Sequence, residues 1–263
     1  MNDPTLILSR TDGATAWLTL NRPAKRNALN DELLVELRAA LDRAFADTTV
    51  RSIVLVGAGV CFCSGRDRGN VGNADSVRAV MQDGSLEASV SLFTEVLNRL
   101  LYSPKPTIAA VHGVALAGGQ ALTLACDFVV AERSAKFGNP EMQFGFPAAM
   151  NTVLLAHHLG RRRALEIAVT GASYSAETYL QWGLVNRLAA PGELAATATR
   201  FADELNALAP WAVRRTRELL RAAESMGLAQ AMVSGDQVNQ LLRLNGQLAP
   251  LFEAPAAGPK GTS

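Results

Sequence analysis

The sequence predicts an α/β protein, and three observations carry that expectation. Two apolar runs of strand length, residues 52–56 and Thr107–Val111, lead into glycine-bearing loops that end at Gly65-Arg66 and Gly118-Gly119. Segments with helical spacing of apolar residues alternate with them, and after Glu141 the pattern is mostly helical. At 263 residues and 49% hydrophobic, the chain can bury the core of one large α/β domain, or of a core plus a smaller helical part.

Taken in order, Leu6-Ile7-Leu8 and residues 16–20 flank Thr11-Asp12-Gly13, and Asp-Gly favours the positive backbone angles of a tight hairpin turn. Residues 21–29 form a loop by their Pro and Asn content. Asn30 or Asp31 can then cap a helix, because Leu33, Leu34, Leu37, Leu41 and Phe45 recur at three- and four-residue steps. The run at 52–56 is largely apolar and bounded by glycine, as expected of a strand covered on both faces. Residues 68–85 are polar, glycine-rich and without clear period, and read as a flap. Helical spacing resumes over 86–101, and Pro104 and Pro106 stop it before Thr107.

The segment 120–126 is apolar and of helical length. Further helices are expected over 152–159, 161–169, 175–182, 194–208, 210–226 and 228–244, with a late strand at 184–188. Pro191-Gly192 marks the boundary, giving a core at 1–192 and a helical region at 193–263, whose last residues from 255 on read as frayed.

Composition excludes several classes. Twenty-five Lys and Arg against 24 Asp and Glu leave a net charge of +1, so there is no global electrostatic case for nucleic acid or an anionic membrane. The N-terminus lacks an apolar signal core, and no stretch approaches the ~18 apolar residues of a membrane span. A soluble, cytoplasmic protein is expected. Cys61, Cys63 and Cys126 form no CxxC pair and accompany no His cluster, so buried free thiols are expected and no metal.

The chemistry concentrates between Thr107 and Phe146. The amides opening the helix after Ala117-Gly118-Gly119 have no partner inside it and carry the positive end of its dipole, a seat for an anion or oxyanion. Glycines there can equally serve close strand-to-helix packing, and both readings stay open. Glu141 follows about twenty residues later among Phe137, Phe144 and Phe146, a setting that raises a carboxyl's pKa and makes a candidate base. A dinucleotide fingerprint fails, because Gly57-x-Gly59 meets Phe62 where the third glycine belongs, and no P-loop Gly-Lys-Ser/Thr is present. His112, His157, His158 and Cys63 show no spacing that suggests a nucleophile with its base.

Four stretches in order carry a resemblance: Asn21-Arg22-Pro23 with Asn27-Ala28-Leu29; Gly57-Ala58-Gly59 through Phe62 to Ser64-Gly65-Arg66-Asp67; Val111-His112-Gly113 through Ala117-Gly118-Gly119 to Ala125-Cys126-Asp127; and Phe137-Gly138-Asn139-Pro140-Glu141. Together they resemble the crotonase, or enoyl-CoA hydratase/isomerase, superfamily from the hairpin to about Phe252. The resemblance implies a crotonase-like ββα spiral core with a C-terminal helical trimerisation region, working as a homotrimer or homohexamer. It implies an acyl-CoA thioester substrate of fatty acid metabolism, with coenzyme A arriving as part of that substrate and no separate cofactor. The thioester oxygen would be held by the backbone amides of Arg66 and Gly118, with Glu141 moving protons.

The chain also departs from that pattern. The first of the hydratases' two glutamates falls on Ala121, which cannot transfer a proton, so hydration and double-bond isomerisation both stay open. Gln120, Asn139, Asn151 and Asp67 are polar candidates for orienting water, Asp67 reading more as a loop residue. Lys25, Arg26 and Arg68 are candidate partners of the CoA phosphates. The family's basic C-terminal ending is reduced to Phe252-Glu253-Ala254-Pro255, and Lys260 is a poor substitute. Residues 68–85 and 144–150 would set acyl specificity. Outside this reading stand a catalytically silent acyl-CoA-binding protein and other reactions on the same oxyanion seat: thioester hydrolysis, decarboxylation or C–C cleavage.

Overall fold

The computed structural model describes residues 5–67 and 91–244. The 68–85 flap, Arg68, the opening of the 86–101 segment, the 252–255 ending and the tail with Lys260 lie outside the described residues. The chain divides into two compact units, Met1–Leu208 and Ala209–Ser263. Among the described residues no helix is long and apolar enough to cross a membrane.

The first unit opens with the expected hairpin. β1 (Ile7–Asp12) and β2 (Thr15–Leu20) pair antiparallel across a two-residue turn in which Gly13 takes φ +55°. After a 3₁₀ turn at Pro23–Lys25 comes α1 (Asp31–Ala46), whose cap is Asn30: its Oδ1 accepts from the Leu33 amide at 3.2 Å. β3 (Ser52–Gly57), α2 (Leu92–Leu101), β4 (Thr107–Val111), β5 (Val114–Leu116) and α3 (Gly118–Ala125) follow. Then come β6 (Phe128–Glu132), β7 (Lys136–Gly138), a 3₁₀ turn at Pro140–Phe144, α4 (Ala149–His158) and α5 (Arg161–Thr170). β8 (Ser173–Ser175), α6 (Ala176–Gln181), β9 (Arg187–Ala189) and α7 (Leu194–Asn206) complete this unit.

Six strands form one sheet in the order β1-β2-β3-β4-β6-β9, parallel from β2 onward. A smaller sheet, β5-β7-β8, stands beside it in the chain path. Side chains alternate across the large sheet. Leu18, Ile53, Leu55, Ala109 and Val111 enter the main core with α1, while Trp17, Val54, Ile108, Ala110 and Val130 pack under Leu194, Ala198 and Phe201 of α7. Both faces are therefore covered, which is why these strands read as unbroken apolar runs.

The helix at 194–206 belongs to this first unit because its apolar stripe is the second cover of the sheet. The division falls at Leu208 rather than at Pro191-Gly192, since a turn signal marks where the chain bends, not where burial ends. The second unit contains α8 (Pro210–Glu224) and α9 (Leu228–Leu244), two helices with a groove between them lined by Trp211, Leu219 and Val238.

Candidate active site

The site is built from the loops that leave the C-terminal ends of β3 and β5 and from the turn after β7. The Asn21–Asn27 region stitches the first loop in place. Asn27, fully buried and at φ +55°, donates through Nδ2 to the carbonyls of Ala58 and Cys61, while its Oδ1 accepts from the Arg22 amide. Arg22 in turn pairs with Asp67 at 3.0 Å and donates to the Ala28 carbonyl at 2.6 Å. Asp67 is thus a loop fastener.

These links decide where the Arg66 amide points. Leu29 N donates to Gly65 O and Asp67 N to Leu29 O, a one-residue parallel bridge that uses the groups on either side of Arg66. In such a bridge the central residue turns its own N–H away. The Gly118 amide is the first of α3 and has no intrahelical partner. Neither amide has an acceptor among the described residues.

The two loops touch. Gly65 sits at φ +106°, and a Cβ built there would lie 2.8 Å from Ala117 Cβ and 3.4 Å from Gly118 N. A Cβ on Gly118 would lie 3.5 Å from Arg66 N. Gly65 requires glycine for its backbone angle and its close neighbours, while a Cβ on Gly118 would stand in ordinary contact beside the Arg66 amide.

Arg66, Gly118, Ala121, Glu141 and Asn151 all line one cavity of about 570 Å³, walled by Phe93, Phe144, Phe146 and Met150. Glu141 enters from the 3₁₀ turn at Pro140–Phe144, half-buried, and burial raises its carboxyl above the ordinary 4.5; the Asn151 amide, 3.4 Å from Oε1, partly offsets this. Glu141 Oε2 is buried without a hydrogen-bond partner among the described residues. Ala121 faces the same cavity from α3 and is fully buried. Among the described lining residues, Glu141 is the sole carboxylate.

Behind the cavity lies a buried amide network. Gln120 Nε2 donates to Asn139 Oδ1 at 3.0 Å and to Asn151 Oδ1 at 3.5 Å, and Gln120 Oε1 accepts from the Tyr179 hydroxyl at 2.7 Å. Gln120 and Asn139 are wholly buried, so of the water-orienting candidates only Asn151 reaches the cavity wall.

The structure brings together Arg66, Gly118 and Glu141 and leaves others apart. Lys25 and Arg26 are exposed and outside the lining, although the Arg26 carbonyl holds the amide of Ser64, which does line it. Phe137 is not a cavity residue. It is fully buried and stacked on Tyr179 at 4.5 Å. Phe93, absent from the sequence expectation, closes one wall from α2. The cysteines are free and buried, with the Cys63 thiol pushed up to about 12 by burial, and the Nε2 atoms of His112 and His158 lie 2.9 and 2.8 Å from backbone carbonyls.

Comparison with known proteins places the chain in one family. Residues 10–242 match the family model described as enoyl-CoA hydratase/isomerase. The 1,2-epoxyphenylacetyl-CoA isomerase of Escherichia coli K12 is 34% identical over 253 residues, 95% of this chain and 94% of that protein. The 2,3-dehydroadipyl-CoA hydratase of the same organism is 33% identical, over 90% of this chain and 89% of its own length. The crystal structure of an enoyl-CoA hydratase from Mycobacterium smegmatis superimposes with a TM-score of 0.82 at 29% identity, covering 95% of this chain and 96% of that one.

Proposed function

This chain belongs to the enoyl-CoA hydratase/isomerase family of the crotonase superfamily, and on that premise we propose that it moves the double bond of an enoyl-CoA thioester, with Glu141 as its single acid/base. It is an enzyme of the enoyl-CoA hydratase/isomerase type acting on an acyl-CoA thioester. The thioester oxygen sits between the amides of Arg66 and Gly118, where each donor is worth roughly 2.7–4 kcal/mol as negative charge develops. Backbone groups do this, so the Arg66 side chain is free for another task.

Glu141 Oε2, raised in proton affinity by burial, takes a proton from the carbon beside the thioester carbonyl, which leaves a dienolate, and returns it two carbons further along the chain as the double bond moves next to the carbonyl. One observation carries the choice of reaction: Ala121 stands on the cavity wall, and the described lining holds one carboxylate. Isomerisation needs one such group. Hydration asks the same carboxyl to accept the proton of water while supplying one to carbon.

We infer further that coenzyme A enters only as part of the substrate, and that Lys25 and Arg26, exposed on the loop joined to Ser64, meet its phosphates together with Arg68. The family resemblance supports a homotrimer or homohexamer assembled through the helical C-terminal region, acting in the cytoplasm in fatty acid metabolism.

The test is turnover of crotonyl-CoA and of a 3-enoyl-CoA by the wild type and Glu141→Gln. The 3-enoyl-CoA is expected to be converted to the 2-enoyl isomer, with a loss of roughly 10²–10⁴-fold in Glu141→Gln and thioester binding retained. Full activity in Glu141→Gln rejects the base, and hydration of crotonyl-CoA outrunning isomerisation rejects the reaction. Binding without turnover across a thioester panel returns the chain to the silent acyl-CoA-binding reading.

A further inference from the structure

Asn151 lies on the first turn of α4, 3% exposed, and its Nδ2 serves two acceptors. One is Glu141 Oε1 at 3.4 Å; the other is the Ala117 carbonyl at 2.9 Å. The Ala117 carbonyl and the Gly118 N–H are opposite ends of one trans peptide group, so fixing the first fixes where the second points. That peptide needs fixing. Ala117 holds φ +50° and ψ −119°, a conformation that persists in a non-glycine residue only where its surroundings enforce it.

The orientation of the Asn151 amide is itself determined. Asn139 Nδ2 donates to the Ile167 carbonyl at 3.2 Å, and a carbonyl can only accept. Asn139 therefore turns Oδ1 to Gln120, Gln120 turns Nε2 to Asn139 and Asn151, and Asn151 is left with Oδ1 inward and Nδ2 outward. The Ala117 carbonyl at the other end demands the same arrangement. Two backbone carbonyls thus set the polarity of the whole chain of amides.

We propose that Asn151 is a positioning residue that ties the proton-moving carboxyl of Glu141 to the oxyanion-binding amide of Gly118 through one NH₂ group, with Gln120 holding that group in its working orientation. The proposal rests on the function argued above. It assigns the two carboxyl oxygens different tasks: Oε1 is held by Asn151, and Oε2 faces the substrate.

Among the described residues few other charges bear on Glu141. Arg66 across the cavity is paired with Asp31 at 3.0 Å, α3 carries no titratable side chain, and α4 carries only His157 and His158 at its far end. The α5 helix, packed against the 3₁₀ turn, bears Arg161, Arg162, Arg163 and Glu166. None of these changes when Asn151 is replaced.

The experiment compares the wild type with Asn151→Ala and the isosteric Asn151→Asp, which keeps the acceptor for Gln120 and places an oxygen against Glu141 and Ala117. Three readouts apply: kcat on the substrate the wild type turns over, affinity for an unreactive saturated acyl-CoA, and titration of Glu141 by ¹³C-carboxyl NMR, assigned with Glu141→Gln. In Asn151→Ala we expect kcat to fall by about 10- to 100-fold, affinity to change little, and the Glu141 titration to move to higher pH. In Asn151→Asp the titration should move further up, because two carboxyls then share the site. Folded variants with wild-type kcat and an unmoved titration overturn the proposal, as does failure of both variants to fold, which would make Asn151 a packing residue. Retention of activity in Glu141→Gln instead overturns the function on which it rests.

Discussion

Gly65→Ala adds one methyl group at the point where the two candidate donor loops meet. A Cβ there would stand 2.8 Å from Ala117 Cβ and 3.0 Å from the Leu116 carbonyl, neither of which can rotate away. The backbone must therefore shift by some tenths of an ångström, an overpacking cost of about 1–3 kcal/mol. The angle φ +106° adds strain of about 1–3 kcal/mol for a residue with a side chain. Against a typical stability of about 5–15 kcal/mol the variant should still fold, with a lowered melting temperature.

The shift falls on the peptide joining Gly65 to Arg66, whose N–H is one of the two proposed donors. Losing the aim of one donor lowers kcat by about 10²–10³-fold, while affinity for a saturated acyl-CoA changes far less, because the oxygen carries its full charge only in the transition state. The assay is kcat on the preferred enoyl-CoA beside calorimetric binding of butyryl-CoA, after a thermal melt to establish folding. A folded Gly65→Ala enzyme with kcat within about threefold of the wild type would refute the two-amide seat.

Two further outcomes follow from buried groups. Burial raises the Glu141 carboxyl above its ordinary 4.5, so below that value the group is neutral in both the folded and unfolded states, and as pH rises through the folded value the native state must carry a buried charge and loses stability. Glu141→Gln should accordingly melt above the wild type at neutral pH, with the difference shrinking towards pH 4; an equal difference at every pH would contradict it. Tyr179→Phe keeps the stack on Phe137 but leaves the buried Gln120 Oε1 without its 2.7 Å donor, at a cost of about 1–3 kcal/mol. A melt lowered by about 2–10 °C is expected for a chain of this size, and an unchanged melt would show that the hydroxyl is not needed there.

Where the determinants are local, the sequence alone places the elements well. Asp12-Gly13 marks the hairpin, Asn30 the cap of α1, and the apolar runs of β3 and β4 the covered strands. The strands it does not show are β5, β7 and β8, each three residues and too short for a period, and β6. Phe128–Glu132 continues an apolar stretch with no turn signal before it. What ends α3 is Asp127, whose carboxylate accepts from the Thr107 amide and hydroxyl twenty residues earlier, a contact that no window of pattern can contain. The late strand is displaced to Arg187–Ala189 because the amides of Leu184 and Val185 bond back to the Tyr179 carbonyl. At the site, the glycines and Glu141 are legible because backbone angles and an isolated carboxylate restrict residue type. Phe93 and Tyr179 are not, since an aromatic at helical spacing looks the same whether it faces a core or a cavity.

Ala121 bears on more than the missing second acid. A second carboxyl on that wall would couple to Glu141, and its charge would push the proton affinity of the pair apart. With alanine there, burial raises the proton affinity of Glu141, and hydrogen bonds from its own backbone amide and from Asn151 lower it. The wall around it is apolar, formed by Phe93, Phe144, Phe146 and Met150. Such a wall offers water few hydrogen-bond partners near the reacting carbons. In the proposed reaction this matters twice, because it keeps the carboxyl neutral once it has taken the proton, and it leaves that proton, rather than one from solvent, as the nearest to return to the enolate. Replacing a carboxylate by a methyl group on one wall thus removes a partner that assists hydration and supplies the dry surface that favours proton return within the site.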